Sequence, residues 1–298
     1  LTPVDLHAVK ACGVTFARSM LERVIESKAG GDAAAADGIR QTLSSAIGSD
    51  LSKVKPGSDA AMRLKAALIE RNLWSPYLEV GIGPDAEVFT KCPPMASVGS
   101  GFEVGIHPIS EWNNPEPEVV LVIAPSGQIV GATLGNDVNL RDVEGRSALL
   151  LGKAKDNNAS AALGPLIRLF DGSFGIDDVR SADVAMRVEG DDGFTLDGAS
   201  TMREISRDPT ELAAHAIGPH HQYPDGLVLY TGTMFAPTKD RDGPGQGFTH
   251  HPGDIVSVSS PRLGMLANRV QKCDRVEPWT FGTGTLMRSL AKRGLLGA

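Results

Sequence analysis

Asn114-Pro115-Glu116-Pro117-Glu118-Val119-Val120-Leu121-Val122 places two carboxylates at the mouth of an otherwise apolar run, and Asp137 follows nineteen residues after Glu118 in Leu134-Gly135-Asn136-Asp137-Val138. Successive side chains of an extended chain point to opposite faces, so Glu116 and Glu118 share one. Two like charges about 4 Å apart at an effective dielectric near 20 repel by roughly 4 kcal/mol. Proteins relieve such repulsion by protonating one group or by binding a cation, and a hard divalent ion is the simpler remedy. Residues 119–123 and 129–134 read as strands joined by Ala124-Pro125-Ser126-Gly127-Gln128, a loop of hairpin composition. Such a hairpin returns Asp137 to Glu116 and Glu118.

Outward from the hairpin the punctuation divides the chain. From Thr2 to about Trp74, apolar residues such as Leu6, Val9, Val14, Phe16, Met20 and Val24 recur at roughly helical spacing. Gly30-Gly31 interrupts that pattern, which resumes over 32–47 and 60–73. After Tyr77 short β-type runs appear at 86–90, 119–123, 129–134, 184–188, 227–230 and 255–259, while 235–253 reads as a long Gly/Pro-rich loop. The spacing therefore predicts an α+β protein, with a helical segment over 1–82 and a sheet-rich, metal-binding domain over 83–298. The chain begins Leu1-Thr2-Pro3 without an initiating Met or a signal-peptide pattern, which leaves room for an upstream domain.

Composition narrows the function class. At 298 residues, with 41% hydrophobic and 22% charged content, the chain is long enough to bury a sizeable core. No run has the length and apolarity of a membrane span. A net charge of -7, without clustered Lys and Arg, argues against a nucleic-acid partner. Cys12, Cys92 and Cys273 are odd in number and lack the paired spacing of a zinc site or disulfide framework, which fits a reducing cytoplasm.

Three carboxylates from adjacent strands suit Mg2+ or Mn2+. Around them stand Glu111-Trp112-Asn113-Asn114-Pro115-Glu116-Pro117-Glu118, Gly135-Asn136-Asp137-Val138-Asn139-Leu140-Arg141-Asp142-Val143-Glu144, Ala154-Lys155, Leu163-Gly164-Pro165, Thr231-Gly232-Thr233 and Pro252-Gly253-Asp254. That succession, from about Glu87 to Val270, resembles the fumarylacetoacetate hydrolase family. The resemblance implies a mixed β-roll or sandwich with flanking helices, usually a homodimer or homotetramer. It implies Glu116, Glu118 and Asp137 as metal ligands, Lys155 as the pocket lysine, and Arg141 and Thr233 as substrate contacts. Members of the family bind a 2-oxo acid through Mg2+ and stabilise its enolate.

Hydrolytic members carry an early Gly-x-x-Tyr-x-x-His-x-x-Glu stretch whose His and Glu activate water. Here the matching stretch is Gly13-Val14-Thr15-Phe16-Ala17-Arg18-Ser19-Met20-Leu21-Glu22, with Ser19 at the His position. Ser19 and Glu22 then read as hydrogen-bonding residues lining the substrate pocket. The text around Glu87 is more similar to the branch that dehydrates 2-keto-3-deoxy-pentonates, of xylonate or arabinonate type, to 2-oxoglutarate semialdehyde. In that reading Lys155, its pKa lowered near the ion, takes a C3 proton and Glu87 assists loss of the C4 hydroxyl.

Plainer readings stand beside these. Lys155 is a surface lysine, Arg141 pairs with Asp142 or Glu144, Glu87 pairs with Lys91, Thr231-Gly232-Thr233 is a turn, and His220-His221 and His250-His251 are loop or surface histidines. The alternative functions are a carbon-carbon bond hydrolase acting on an acylpyruvate or diketo acid, and a non-catalytic metal-dependent binding protein.

Overall fold

Strand β5 (Pro117–Ile123) is buried along its whole length, and the fold is arranged around it. The structure is a computed structural model that describes residues 2–30, 32, 35–36, 54–70 and 74–296. With β1 (Ala8–Gly13), β2 (Glu87–Cys92), β6 (Ile129–Asp137), β8 (Ala161–Leu169) and β11 (Leu227–Tyr230), β5 forms a sheet of order β2-β1-β11-β5-β6-β8. A second sheet has the order β10-β9-β12-β13-β3, from β3 (Glu103–Ile106), β9 (Asp183–Glu189), β10 (Thr195–Thr201), β12 (Ile255–Ser260) and β13 (Gly264–Lys272). The pairs β1–β11 and β3–β13 are parallel and the remaining ladders antiparallel. Both sheets are open, and they pack on each other through β5, β6 and β8 against β9, β12 and β13. This is the mixed α+β sandwich that the sequence predicts.

Side-chain alternation sorts the core. Val119, Leu121 and Ile123 face Val184, Met186, Val256 and Val258 between the sheets. Val120 and Val122 join Val9, Ala11, Val228 and Tyr230 on the outer face. Truncating a buried leucine such as Leu121 to alanine costs about 2–5 kcal/mol. The hairpin loop forms as predicted: the Ala124 N–H donates to the Gln128 carbonyl at 2.9 Å, and Gly127 supplies the positive φ of 86°.

Residues 8–13, expected to be helical, are instead strand β1, in the interior of the main sheet between β2 and β11. Val9, Lys10, Ala11 and Cys12 are all buried, so the stretch shows none of the polar alternation that marks a half-exposed strand. Among the described residues the helices include α1 (Ala17–Lys28), α2 (Asp59–Glu70), α3 (Pro76–Ile82), α4 (Arg141–Glu144), α5 (Leu151–Lys155), α6 (Ile176–Arg180), α7 (Pro209–Ala216) and α8 (Thr283–Lys292). Helix α3 starts where Ser75 accepts from the Leu78 N–H and Pro76 takes the first turn. Met20, Val24 and Ile25 of α1 pack with Leu68 of α2, Leu78 and Ile82 of α3, and Trp112. That cluster seats α1 beside the open end of the β5–β6 hairpin. The expected helix over 32–47, and 71–73 of the next, lie almost wholly outside the described residues. Among the described residues no helix is long and apolar enough to cross a membrane.

Candidate active site

The β5–β6 ladder pairs Pro117 with Asn136 and Glu118 with Gly135, and the two-residue strands β4 (Asn113–Asn114) and β7 (Asn139–Leu140) continue the pairing beyond a break. Glu116 and Asp137 occupy that break. The Glu116 N–H donates to the Asn136 side-chain oxygen at 3.0 Å, and the Asp137 N–H to the Glu116 carbonyl at 3.0 Å. Register and alternation set Glu116, Glu118 and Asp137 on one face, where an oxygen from each lies within 4.8 Å of the others. All three are at most 1% exposed. Opposite Glu118, Gly135 leaves room for Tyr230, whose Cε1 would lie 2.3 Å from a β-carbon there.

Buried like charges require counter-charge. Lys155, at the end of α5, sets its Nζ 2.5 Å from Glu116 Oε2 and 3.2 Å from Asp137 Oδ2. Arg23 of α1 pairs with Glu116 Oε1, and Lys91 of β2 lies 2.6 Å from Asp137 Oδ1. The Thr233 hydroxyl donates to Glu116 Oε2 at 2.7 Å, while Glu118 accepts from the Gly232 N–H at 2.7 Å. Burial alone would raise Glu116, but the Arg23 and Lys155 charges outweigh it and bring its pKa to about 2. Glu118 is pushed well up, by burial first and then by Asp137 and Glu116. The cluster thus holds a carboxylate that must take a proton or share a cation. Its donors are all hard oxygens, which fits Mg2+.

Lys155 is buried, not a surface lysine. Its pKa moves opposite to the expected direction: burial would lower it, yet Asp137, Glu116 and Glu144 together raise it. Glu87 is partly buried on β2 and faces Gly13 of β1. Burial raises its pKa against the opposing pull of Arg23 and Lys155. Lys91, its alternative partner, is committed to Asp137.

Arg141 is 1% exposed and pairs with neither Asp142 nor Glu144. It reaches Glu26 Oε1 at 2.7 Å and Glu22 Oε2 at 3.1 Å, both on α1, donates to the Pro237 carbonyl at 3.1 Å, and stacks on Trp112 at 4.5 Å. Arg23 in turn pairs with Glu26 at 2.6 Å and Glu144 at 3.0 Å. Alternating charges therefore tie α1 to the carboxylate cluster. Ser19 belongs to α1, and its side chain lies outside the described residues. His250, expected on a loop or the surface, is buried with Nδ1 3.0 Å from Asp254 Oδ2, apart from the metal cluster. Both His220 and His221 are exposed, as expected.

Sequence reasoning missed Arg23, Glu26, Lys91 and Glu144. Glu26 lies four residues past Glu22 and three past Arg23, spacings that set it beside both on α1. Nothing local marks Lys91, because its partner Asp137 is 46 positions away.

Residues 80–271 match the family described as fumarylacetoacetate (FAA) hydrolase C-terminal. A probable 2-keto-3-deoxyxylonate dehydratase of Haloferax volcanii is 32% identical over 194 residues, 65% of this chain and 63% of its own length. A 2-dehydro-3-deoxy-D-arabinonate dehydratase of Saccharolobus solfataricus is 30% identical over 186 residues, 62% of this chain and 59% of its own. This chain thus spans less than two thirds of either relative. Among solved structures, an apo 2-keto-3-deoxy-D-arabinonate dehydratase superposes with a TM-score of 0.63 at 22% identity, over 91% of this chain and 74% of that one. The 2-keto-3-deoxy-D-arabinonate dehydratase complexed with magnesium and 2,5-dioxopentanoate gives 0.61 at 23%, with the same coverage. At these identities the likeness is one of fold.

Proposed function

The chain belongs to the fumarylacetoacetate hydrolase family, and on that premise we propose that it is a Mg2+-dependent hydro-lyase. Its substrate is a 2-keto-3-deoxy-pentonate of the xylonate or arabinonate type, and its product 2-oxoglutarate semialdehyde. The observation that carries this reading is the buried meeting of Glu116, Glu118 and Asp137, with Lys155 across two of them. The names of the two curated relatives support the substrate class.

Magnesium, when held by Glu116, Glu118 and Asp137, supplies a Lewis acid for the 2-oxo acid and acidifies its C3–H. Lys155 is the base for the C3 proton. The two carboxylates that raise its pKa most, Asp137 and Glu116, are ones whose charge a divalent ion would offset. Glu87 donates a proton to the departing C4 oxygen, and its burial favours the protonated form that this role needs. Water leaves, and the enone tautomerises to the aldehyde at C5. Thr233, Arg141 and Glu22 are the substrate-side residues, with Thr233 nearest the cluster, and Ser19 precedes Glu22 by three positions on the same helix.

Hydrolysis of an acylpyruvate is the second reading, and α1 speaks against it. That helix carries no histidine, and Glu22 reaches Arg141. Incubation of the chain and Mg2+ with 2-keto-3-deoxyxylonate or 2-keto-3-deoxyarabinonate should release the semialdehyde. No product from either sugar acid overturns the assignment, and pyruvate from acetylpyruvate would establish the hydrolase.

A further inference from the structure

We propose that Lys91 is a positioning residue that keeps the metal ligand Asp137 and the backbone of Lys155 in one register. Two lysines reach Asp137, on different oxygens. Lys155 sits across Glu116 and Asp137 Oδ2, whereas Lys91 takes Oδ1 at 2.6 Å. The other partners of Lys91 lie behind the cluster: the Val138 carbonyl at 3.0 Å, the Lys155 carbonyl, and the Ser160 hydroxyl at 3.4 Å.

Helix α5 is five residues long and ends at Lys155. The last carbonyls of a helix have no partner within it. Lys91 donates to one of them, and the Ser160 hydroxyl donates to the same carbonyl at 2.7 Å. One ammonium thereby joins the residue that presents a metal ligand to the turn that presents the base.

Strand β2 is built to deliver that ammonium. Thr90 pairs with Lys10 and Cys92 with Val9, so Lys91 is the extra residue of a β-bulge. Bulges re-aim a side chain at the cost of ladder pairing. The side chain re-aimed here is a lysine at 0% exposure, which is expensive to bury. A counter-ion alone would need neither the bulge nor the two backbone carbonyls.

This inference rests on the Mg2+ reading above. The test uses the full chain, with Lys91→Met, which keeps the length of the side chain and removes its charge, and Ser160→Ala, which keeps the Lys91–Asp137 pair. Mg2+ affinity is read by calorimetry, folding by circular dichroism, and turnover at saturating Mg2+. Lys91→Met is expected to weaken Mg2+ binding by about 10–100-fold while retaining the fold, and to lower kcat as well. Ser160→Ala is expected to lower kcat with Mg2+ affinity unchanged. A folded Lys91→Met protein that binds Mg2+ like the wild type overturns the proposal. If Lys91→Met does not fold, Ser160→Ala decides: an unchanged kcat overturns the link to Lys155. Absence of Mg2+ binding by the wild type defeats the Mg2+ reading instead, so the two failures are distinguishable.

Discussion

Gly13 faces Glu87 across the β1–β2 ladder so closely that a β-carbon on Gly13 would lie 1.8 Å from Glu87 Oε2. Gly13→Ala must therefore displace the carboxyl assigned to the C4 oxygen. We expect kcat to fall by at least about 100-fold, the lower range of acid–base catalysis, with Mg2+ affinity unchanged. Because the atoms met are the end of a flexible side chain, the fold itself should lose little stability. Steady-state kinetics beside urea melts would check this, and an intact kcat would remove Glu87 from the reaction.

Glu87→Gln removes the proton without moving the group. Turnover should drop by about 10²–10⁴-fold while calorimetric Mg2+ binding persists. Because burial raises the Glu87 pKa, the acid form survives above the ordinary carboxylate range and is lost as the pH rises through the shifted value. In the wild type that loss should appear as the alkaline limb of a pH–kcat profile; in Glu87→Gln the limb should be absent.

Each of Glu116→Gln, Glu118→Gln and Asp137→Asn removes one hard, charged donor from the cluster. We expect Mg2+ binding to weaken by at least about 100-fold, roughly 2.7 kcal/mol. Titration calorimetry of the three variants measures it, and binding that survives all three would place the ion elsewhere.

Glu144 should make the metal-free protein pH-sensitive. Burial, beyond the relief that Arg23 offers, raises its pKa to about 7 from 4.5, so the folded chain keeps a proton that the unfolded chain releases. Stability from this group is full below about pH 4.5 and declines as the pH rises towards about 7, by on the order of 1–3 kcal/mol. Urea melts in EDTA between about pH 5 and about pH 7 would record that slope. Glu144→Gln should flatten it, and an equal slope in the variant would assign the effect to another group.

The hairpin was legible because its information is local. Glu116 and Glu118 share a face by the period of the extended chain, Ala124–Gln128 supply the turn, and the strand register then brings Asp137 to them. The strands read at 86–90, 119–123 and 227–230 showed because they are short runs rich in β-branched and aromatic residues. Strand β1 did not, because Ala8-Val9-Lys10-Ala11-Cys12-Gly13 holds a single β-branched residue and its spaced apolar residues imitate a helix.

By itself, then, the amino-acid sequence determined the carboxylate triad, the hairpin that carries it, the α+β class and the family. Tertiary structure alone decided what surrounds the triad. Arg23 is 93 positions from Glu116, Lys91 lies 46 from Asp137, and Arg141 is 115 from Glu26. Such pairings are made by the packing of α1, β2 and α4 around the end of the hairpin. The bulge that aims Lys91 and the burial that raises Glu87 and Glu144 arise from the same packing. Local periodicity reports which face a side chain takes; it carries no record of which distant charge meets it there, or of how far water has been excluded.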